Sequence, residues 1–310
     1  MLLQGKTADN LLKECYIFGG LVLDHYNYVD KWPQRGQDGF IEREKMVVGG
    51  CALNMAVTVE NLGRKAHVIS AVGKDAAGEE MEKYMKLNVL SRKFVQQVDQ
   101  PTGKCLVFLE PDGERTFLTS KGAEARFTPE MDQAIREEAP AVAAVTGYYL
   151  LDKDAETITR CLENLSLRGT RILFDPSPLV GSIDRDILKR IVNIAEVMTP
   201  NEEELKVITK VTTIDQFCLR ANGKTMIVKS GSKGGTVYQG RQDGTFAFFD
   251  YMAESVAAVD TTGAGDSFAG ALLYAMLEDM KLKDAVLLAA RCAARTVQID
   301  GPHGFWRMEV

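Results

Sequence analysis

Three small residues, Gly263, Ala264 and Gly265, stand directly ahead of Asp266 and an apolar, Ala-rich, Pro-free stretch at 267–277. That stretch has the composition of a buried helix. The residues before it have no side chains large enough to cover their backbone N–H groups. Unpaired amides and the positive end of a helix dipole together make an anion hole, and a phosphoryl group with charge spread over three oxygens suits it. Asp266 falls in the first turn, where a carboxylate can take the proton of an attacking hydroxyl while the amides hold the phosphate. Its role would be general base in phosphoryl transfer to an alcohol. The dipole is expected to keep Asp266 ionised and a weak base, which suffices when the transition state is loose and the proton leaves late. An ordinary capped helix carries the same local pattern, because Gly before a first turn and Asp within it both serve stability alone.

Short β-rich apolar runs alternate along the chain with longer helical patterns. Strands are expected at 17–23, 66–72, 143–146, 171–175 and 225–228, and helices at 52–62, 78–87, 129–138, 155–165, 202–208 and 282–298. Such alternation predicts an α/β fold with a doubly wound sheet. Two segments, about 26–48 and 98–120, break the rhythm. In the second, 104–109 and 115–119 flank the turn residues 111–114 as a hairpin, and the two segments together predict a small β-sheet lid. A lid serves phosphoryl transfer by keeping water from the reacting phosphate and by strengthening the electrostatics beneath it. Tyr26, Tyr28, Trp32, Phe108 and Phe117 would supply its apolar underside, a dimer contact or only its own packing. No internal repeat or long linker interrupts the pattern, so residues 1–310 read as a single domain with the lid inserted.

A chain of 310 residues with 45% hydrophobic content can bury one large α/β core. No apolar run approaches the ~20 residues of a membrane span, and residues 1–14 are polar rather than signal-like. A cytoplasmic protein without a membrane partner is expected. A net charge of −6 with no basic tract argues against nucleic acid. Neutralising a bound nucleotide therefore falls to local amides and magnesium. The six cysteines form no Cys-x-x-Cys pair, so neither a zinc site nor a disulfide framework is indicated. Cys51 reads as a small hydrophobe at the start of a helix or as a substrate contact.

Asp260-Thr261-Thr262-Gly263-Ala264-Gly265-Asp266-Ser267-Phe268 resembles the C-terminal signature of the ribokinase-like (PfkB) carbohydrate kinases. Gly49-Gly50-Cys51-Ala52-Leu53-Asn54-Met55-Ala56, followed by Leu62-Gly63 and by Ala71-Val72-Gly73-Lys74-Asp75-Ala76-Ala77-Gly78, resembles the second. Thr199-Pro200-Asn201-Glu202-Glu203-Glu204 is similar to the family's Asn-x-x-Glu element. The elements occur in family order across roughly 15–305. The resemblance implies a ribokinase-like, mostly parallel sheet flanked by helices, with a lid that covers the sugar and often mediates homodimers. It also implies transfer of the γ-phosphoryl group of ATP, with magnesium, to a primary hydroxyl of a sugar or sugar-like acceptor.

Roles follow from the same resemblance. Asp24, after the first strand, would accept hydrogen bonds from sugar hydroxyls; Gly49 and Gly50 would admit the ligand close to backbone, and Asn54 would offer a donor and an acceptor to a diol. Asn201 and Glu204 would organise magnesium and phosphate, Glu204 through metal-bound water. Ser230 and Gly231, in a glycine loop after a strand, would contact the nucleotide. Asp260 and Thr262 would contribute to a potassium site together with carbonyls from near residue 300. Residues 297–304 have the family's glycine here without its commoner Gly-Ala pairing, and His303 reads as a loop residue. Taken without the resemblance, Gly49-Gly50 is a strand-to-helix turn, Asn54 a solvated helix residue, Asp24 a loop aspartate, and Glu202 to Glu204 a dipole-complementing cap. Arg115 in the lid hairpin could reach a carboxylate or phosphate of the substrate, although exposed hairpin arginines are common.

Other classes fit less well. Gly263-x-Gly265 lacks the third glycine of a dinucleotide fingerprint and lies near the C-terminus. Gly5-Lys6-Thr7 and Gly223-Lys224-Thr225 lack the upstream glycine of a P-loop. A nucleoside kinase of the same fold is the runner-up, since Thr146-Gly147-Tyr148-Tyr149-Leu150 resembles adenosine kinases; Gly113-Glu114-Arg115-Thr116-Phe117 is closer to sugar and keto-sugar-acid kinases. A sensor that keeps the fold and only binds is opposed by the intact Asp266 and glycines.

Overall fold

The computed structural model describes residues 12–111, 115–219, 224–241 and 243–306. Residues 112–114 of the turn expected at 111–114, the Gly5-Lys6-Thr7 stretch and Gly223 lie outside the described residues. In chain order the strands are β1 (Leu12–Phe18), β2 (Val22–Val29), β3 (Ile41–Gly49), β4 (Ala66–Gly73), β5 (Ser91–Val98), β6 (Lys104–Leu109), β7 (Arg115–Ser120), β8 (Pro140–Thr146), β9 (Arg171–Asp175), β10 (Ala195–Met198), β11 (Thr225–Lys229), β12 (Gly235–Gly240) and β13 (Phe246–Tyr251). The helices are α1 (Cys51–Asn61), α2 (Ala76–Leu87), α3 (Pro129–Arg136), α4 (Ala155–Leu167), α5 (Arg185–Ile194), α6 (Glu202–Ile208), α7 (Ile214–Cys218), α8 (Ala264–Leu277) and α9 (Leu282–Thr296).

Among the described residues the large sheet runs β13-β12-β11-β10-β9-β8-β1-β4-β5, and a separate small sheet runs β3-β2-β6-β7. From β11 to β5 every pairing in the large sheet is parallel, while β12 and β13 close one edge antiparallel. A parallel sheet covered by helices on both faces must be apolar on both faces, and β1 shows it: Cys15 and Ile17 enter one core, Tyr16 and Phe18 the other. The first core also holds the buried residues of α1, α8 and α9, and the second those of α4 and α5. After β1 the chain builds outward through β4 and β5, then returns to the other side of β1 at β8. The connections that leave the carboxyl ends of β1 and β8 consequently run to opposite sides, and a doubly wound sheet binds ligand in the crevice between them.

The expected strand at 17–23 is two strands in two sheets. β1 ends at Phe18 and β2 starts at Val22 in the small sheet, so Asp24 belongs to the lid rather than to the loop after β1. The break falls at Gly19-Gly20, where a Cβ on Gly19 would meet Ala52 Cβ at 3.0 Å and Thr146 Oγ1 at 3.1 Å. The lid strands are β2, β3, β6 and β7, and the residues near 98 finish β5 of the large sheet instead. Register puts Asp24, Cys105 and Val47 on one lid face, with Met46, His25, Leu106 and Leu118 on the other. On that second face Met46, Leu106 and Leu118 are exposed.

Helix α8 is buried along its whole length from Ser267 to Leu277, as an Ala-rich helix without a polar face should be. Close packing against α1 depends on Gly270, whose Cβ would lie 2.6 Å from Met55 O and 2.9 Å from Thr58 Cβ. That contact fixes where the N-terminus of α8 opens.

Candidate active site

Gly263 caps α8 with a left-handed backbone, φ +76°, and a Cβ there would run into the Pro302 carbonyl. Glycine is therefore required twice over, by backbone conformation and by the close approach of the C-terminal loop. The first amides of a helix have no partner within it; Ala264 N makes only a 3.4 Å contact with Thr261 O. Ala264, Gly265 and Asp266 line a cavity of about 550 Å³ that extends along the carboxyl ends of β8, β9 and β11, past Thr146, Asp175 and Lys229.

Asp266 Oδ2 accepts a 2.7 Å hydrogen bond from Asn54 Nδ2. Burial pushes the Asp266 carboxyl up to about 7; the Asn54 bond and Lys229 lower it, and the Asp175 charge raises it. Burial thus acts against the expectation that the helix dipole keeps Asp266 ionised and a weak base, and a carboxyl pushed toward neutrality makes a better base.

Two residues that sequence reasoning did not select complete this end of the cavity. Lys229 Nζ stands 3.0 Å from Asp175 Oδ1, and a Cβ placed on Gly265 would lie only 3.6 Å from that ammonium. Burial disfavours the charged lysine, but Asp175, Glu204 and Asp266 outweigh it and raise its pKa. Thr199 Oγ1 also donates to Asp175 Oδ1. Both residues end buried apolar strands with a charge, at the carboxyl edge where α/β sheets bind ligands, and that was the available signal.

Asn201 and Glu204 form a reciprocal cap on α6: Glu204 N donates to Asn201 Oδ1 at 2.8 Å, and Asn201 N to Glu204 Oε2 at 2.9 Å. The capping and site readings coexist. Glu204 is 5% exposed and faces the cavity, whereas Glu202 and Glu203 point to solvent. Burial first, and the Asp175 charge last, bring the Glu204 carboxyl to about 7 against the Asn201 amide and Lys229. Gly231 lines the cavity with φ +58°, but Ser230 turns its hydroxyl to Glu202 Oε1 at 2.7 Å, and Ser232 lines the wall in its stead.

Asp24 and Gly49, in lid strands β2 and β3, Gly50 and Asn54 do not line the wall of the 550 Å³ cavity. A Cβ on Gly49 would strike the Asp24 carboxylate, so the two residues pack without intervening atoms. Asp24 is buried, and that burial, with the charges of Asp266 and Asp260, carries its pKa to about 7. Asn54 is 4% exposed, not solvated. Its amide is engaged on both sides, to Asp266 through Nδ2 and to His303 Nδ1, 2.7 Å from Oδ1, which uses one of the two N–H groups and one of the two lone pairs it could offer a diol.

The potassium site does not fit this arrangement. Asp260 Oδ1 accepts from Thr262 N and from Arg115 Nη2, each at 2.8 Å, and Oδ2 accepts from Gly301 N at 3.2 Å. Arg115 also donates to Thr261 Oγ1 at 2.8 Å. A guanidinium from β7 holds the place where Asp260 and Thr262 were expected to hold a cation, and a second positive charge beside it is electrostatically unfavourable. Arg115 is correspondingly not directed at substrate.

The profile of the pfkB family carbohydrate kinases matches residues 13–305. The uncharacterized sugar kinase YegV of Escherichia coli is 27% identical over 289 residues, covering 91% of this chain and 87% of the relative. A nucleoside kinase of Methanothermobacter thermautotrophicus is 26% identical, covering 91% and 89%. The structure of a Burkholderia thailandensis nucleoside kinase in complex with inosine superposes with a TM-score of 0.80 at 22% identity, covering 94% of this chain and 93% of that one. No helix among the described residues is long and apolar enough to cross a membrane. With a family match over nearly its whole length, and a parallel sheet, separate lid and glycine-capped helix to go with it, the chain belongs to the pfkB family of carbohydrate kinases.

Proposed function

We infer that the protein transfers the γ-phosphoryl group of ATP to a primary hydroxyl of a neutral sugar or sugar-like acceptor. The observation that carries this reading is the buried Asp266 carboxyl at the amide-bearing start of α8 and on the cavity wall, with Asn54 donating to it. Asp266 takes the acceptor's proton as its oxygen bonds to phosphorus, and the bond from the γ-phosphorus to the bridging oxygen breaks to release ADP. The amides of Gly263, Ala264 and Gly265 hold the transferring group, and Lys229 offsets its charge from the β11 side. Asp24 accepts from acceptor hydroxyls, with Gly49 and Gly50 allowing their approach and Asn54 acting through Asp266. Gly231 and its loop flank the nucleotide.

Magnesium keeps most of its water and needs only one or two carboxylates beside the phosphates. Glu204 and Asp175 are placed for this through water, with Asn201 orienting Glu204. When bound, magnesium neutralises charge on the phosphate oxygens.

A neutral acceptor is favoured over a sugar acid because two of the lid's cations already meet carboxylates of the chain: Arg115 on Asp260, and Lys45 on Asp300 at 2.5 Å. Asp24 and Asp266 would repel an acidic substrate. A nucleoside acceptor is the second reading, supported by Tyr148, 40% exposed on the cavity wall and able to stack on a base, and by the nucleoside kinases among the relatives. ADP release with magnesium-ATP across ribose, fructose, inositols, keto-sugar acids and nucleosides, beside Asp266→Asn, tests both. Turnover by the wild type alone with a neutral sugar is expected; turnover only with nucleosides selects the second reading, and turnover retained by Asp266→Asn removes the base.

A further inference from the structure

His303 sits in the loop that follows α9, and none of the roles above uses it. Its Nδ1 is 2.7 Å from Asn54 Oδ1 and its Nε2 is 2.7 Å from the Tyr84 hydroxyl. The ring packs edge-on against Tyr84, with centroids 5.8 Å apart and planes at 72°. Asn54 Nδ2 then donates to Asp266 Oδ2 at 2.7 Å. A chain of four side chains thus runs from α2 through the C-terminal loop and α1 to the base on α8.

Donor and acceptor capacity assigns every proton in it. An ionised carboxylate only accepts, so the Asn54 NH₂ group faces Asp266 and its carbonyl oxygen faces His303. That oxygen only accepts, so His303 Nδ1 carries the hydrogen. In a neutral imidazole Nε2 is then an acceptor, and the Tyr84 O–H donates to it. Burial depresses His303 to about pKa 4, which keeps the ring in this neutral, Nδ1-protonated form above that pH. Because Oδ2 of Asp266 is engaged, the acceptor's proton is directed to Oδ1.

We propose that His303 is a positioning residue: by locking the Asn54 amide against flipping, it holds Asp266 with one named oxygen, Oδ1, toward the acceptor hydroxyl. The proposal rests on Asp266 as the base. With His303 removed, the Asn54 amide keeps only its bond to Asp266 and can rotate, so that bond weakens and the carboxylate is held less firmly. The Asp266 carboxyl is otherwise faced by Asp175 from β9, Lys229 from β11, Asp24 from β2, Cys51 from α1 and Tyr148 after β8. Of these only Lys229 favours its ionised form, so loss of the Asn54 bond raises its pKa.

The test uses the full-length protein with His303→Ala, His303→Asn and Tyr84→Phe, beside Asp266→Asn. His303→Asn places an amide N–H where Nδ1 was, and Tyr84→Phe removes only the far hydrogen bond. Carbon-13 carboxyl titration of Asp266 and nitrogen-15 spectra of His303 need no acceptor. The wild type is expected to show a neutral Nδ1-protonated ring between pH 6 and 8, and His303→Ala to raise the Asp266 pKa by more than half a unit, with His303→Asn restoring it. In ADP release with the best acceptor among ribose, fructose and inosine, His303→Ala is expected to lower kcat by about 10–100-fold, the cost of a misplaced catalytic group, with acceptor KM within about threefold. Its acid limb should move to higher pH. Tyr84→Phe, which keeps the ring packing, is expected to lower kcat by about two- to fivefold and stands in if His303→Ala does not fold. An Asp266 titration and kcat indistinguishable from wild type in His303→Ala, or an Nε2-protonated ring in the wild type, overturns the proposal. If Asp266→Asn itself turns over normally, the base reading has failed instead, and the carboxyl titration still reports on the His303 chain.

Discussion

Asp260 and Asp266 stand at the two ends of one turn and meet opposite surroundings. Asp260 accepts from Thr262 N, Gly301 N and the Arg115 guanidinium, and is 3% exposed. Asp266 accepts from Asn54 and reaches the cavity, where burial lifts it to about 7. A carboxylate whose lone pairs are filled by fixed donors is an anchor, whereas one that is desolvated but only partly satisfied is chemically poised. In this chain the anchored aspartate ties the lid and the C-terminal loop to the turn that feeds the anion hole. The poised one is the group we propose as the base beside it.

The largest expected effect comes from removing the poised group. Asp266→Asn should lower kcat by about 10²–10⁴-fold, the usual worth of a general base, with acceptor affinity by calorimetry within a few-fold of wild type. Loss of binding in parallel with kcat would mean that Asp266 mainly holds substrate, and the contrast with Asp260 would weaken.

Arg115→Ala breaks the anchored side. Removing one partner of a buried pair costs about 3–5 kcal/mol, here in the docking of the lid, so acceptor KM should rise more than kcat falls, and urea unfolding should report the loss. Wild-type turnover should not change between potassium and tetramethylammonium salts, since the guanidinium already stands beside Asp260. In Arg115→Ala a preference for potassium should emerge. A wild type that requires potassium would show that Arg115 leaves this turn during catalysis.

The pH dependence separates activity from stability. Asp24, Glu204 and Asp266 each titrate near 7 in the fold, above their ordinary carboxylate values. With Asp266 as the proposed base, turnover should rise as pH passes upward through about 7. The folded state binds more protons than the unfolded chain between the ordinary carboxylate range and that point, so stability should fall over the same interval as pH rises. Melting temperature and kcat measured from pH 5 to 8 should therefore move in opposite directions, and a parallel rise would contradict the burial of these groups. The smallest effect is expected from Ser230→Ala: its hydroxyl bonds exposed Glu202, so the KM for ATP should change less than about threefold.

What could be read without the fold was local or tied to secondary-structure period. Strand–helix alternation carried the parallel sheet, and an uninterrupted apolar helix after Gly-Ala-Gly-Asp carried the anion hole, because a helix terminus presents its amides through backbone geometry alone. The strand expected at 17–23 failed where Gly19-Gly20 lets one apolar run pass from one sheet into another; apolar pattern reports burial, not sheet membership. Asn54 looked solvated because helical spacing does not reveal that its neighbour is the start of α8.

By itself, then, the amino-acid sequence determined the fold class, the family and the glycine-led start of the helix at 263–266, all of which depend on contiguous residues and periodicity. Only the tertiary structure decided that Lys229 pairs with Asp175, that Arg115 rather than a metal ion meets Asp260, and that His303 reaches Asp266 through Asn54. These partners are ordinary residues from 54 to 249 positions apart. Their charges and hydrogen bonds acquire direction and strength only when burial removes water and the strand order brings them within 3 Å.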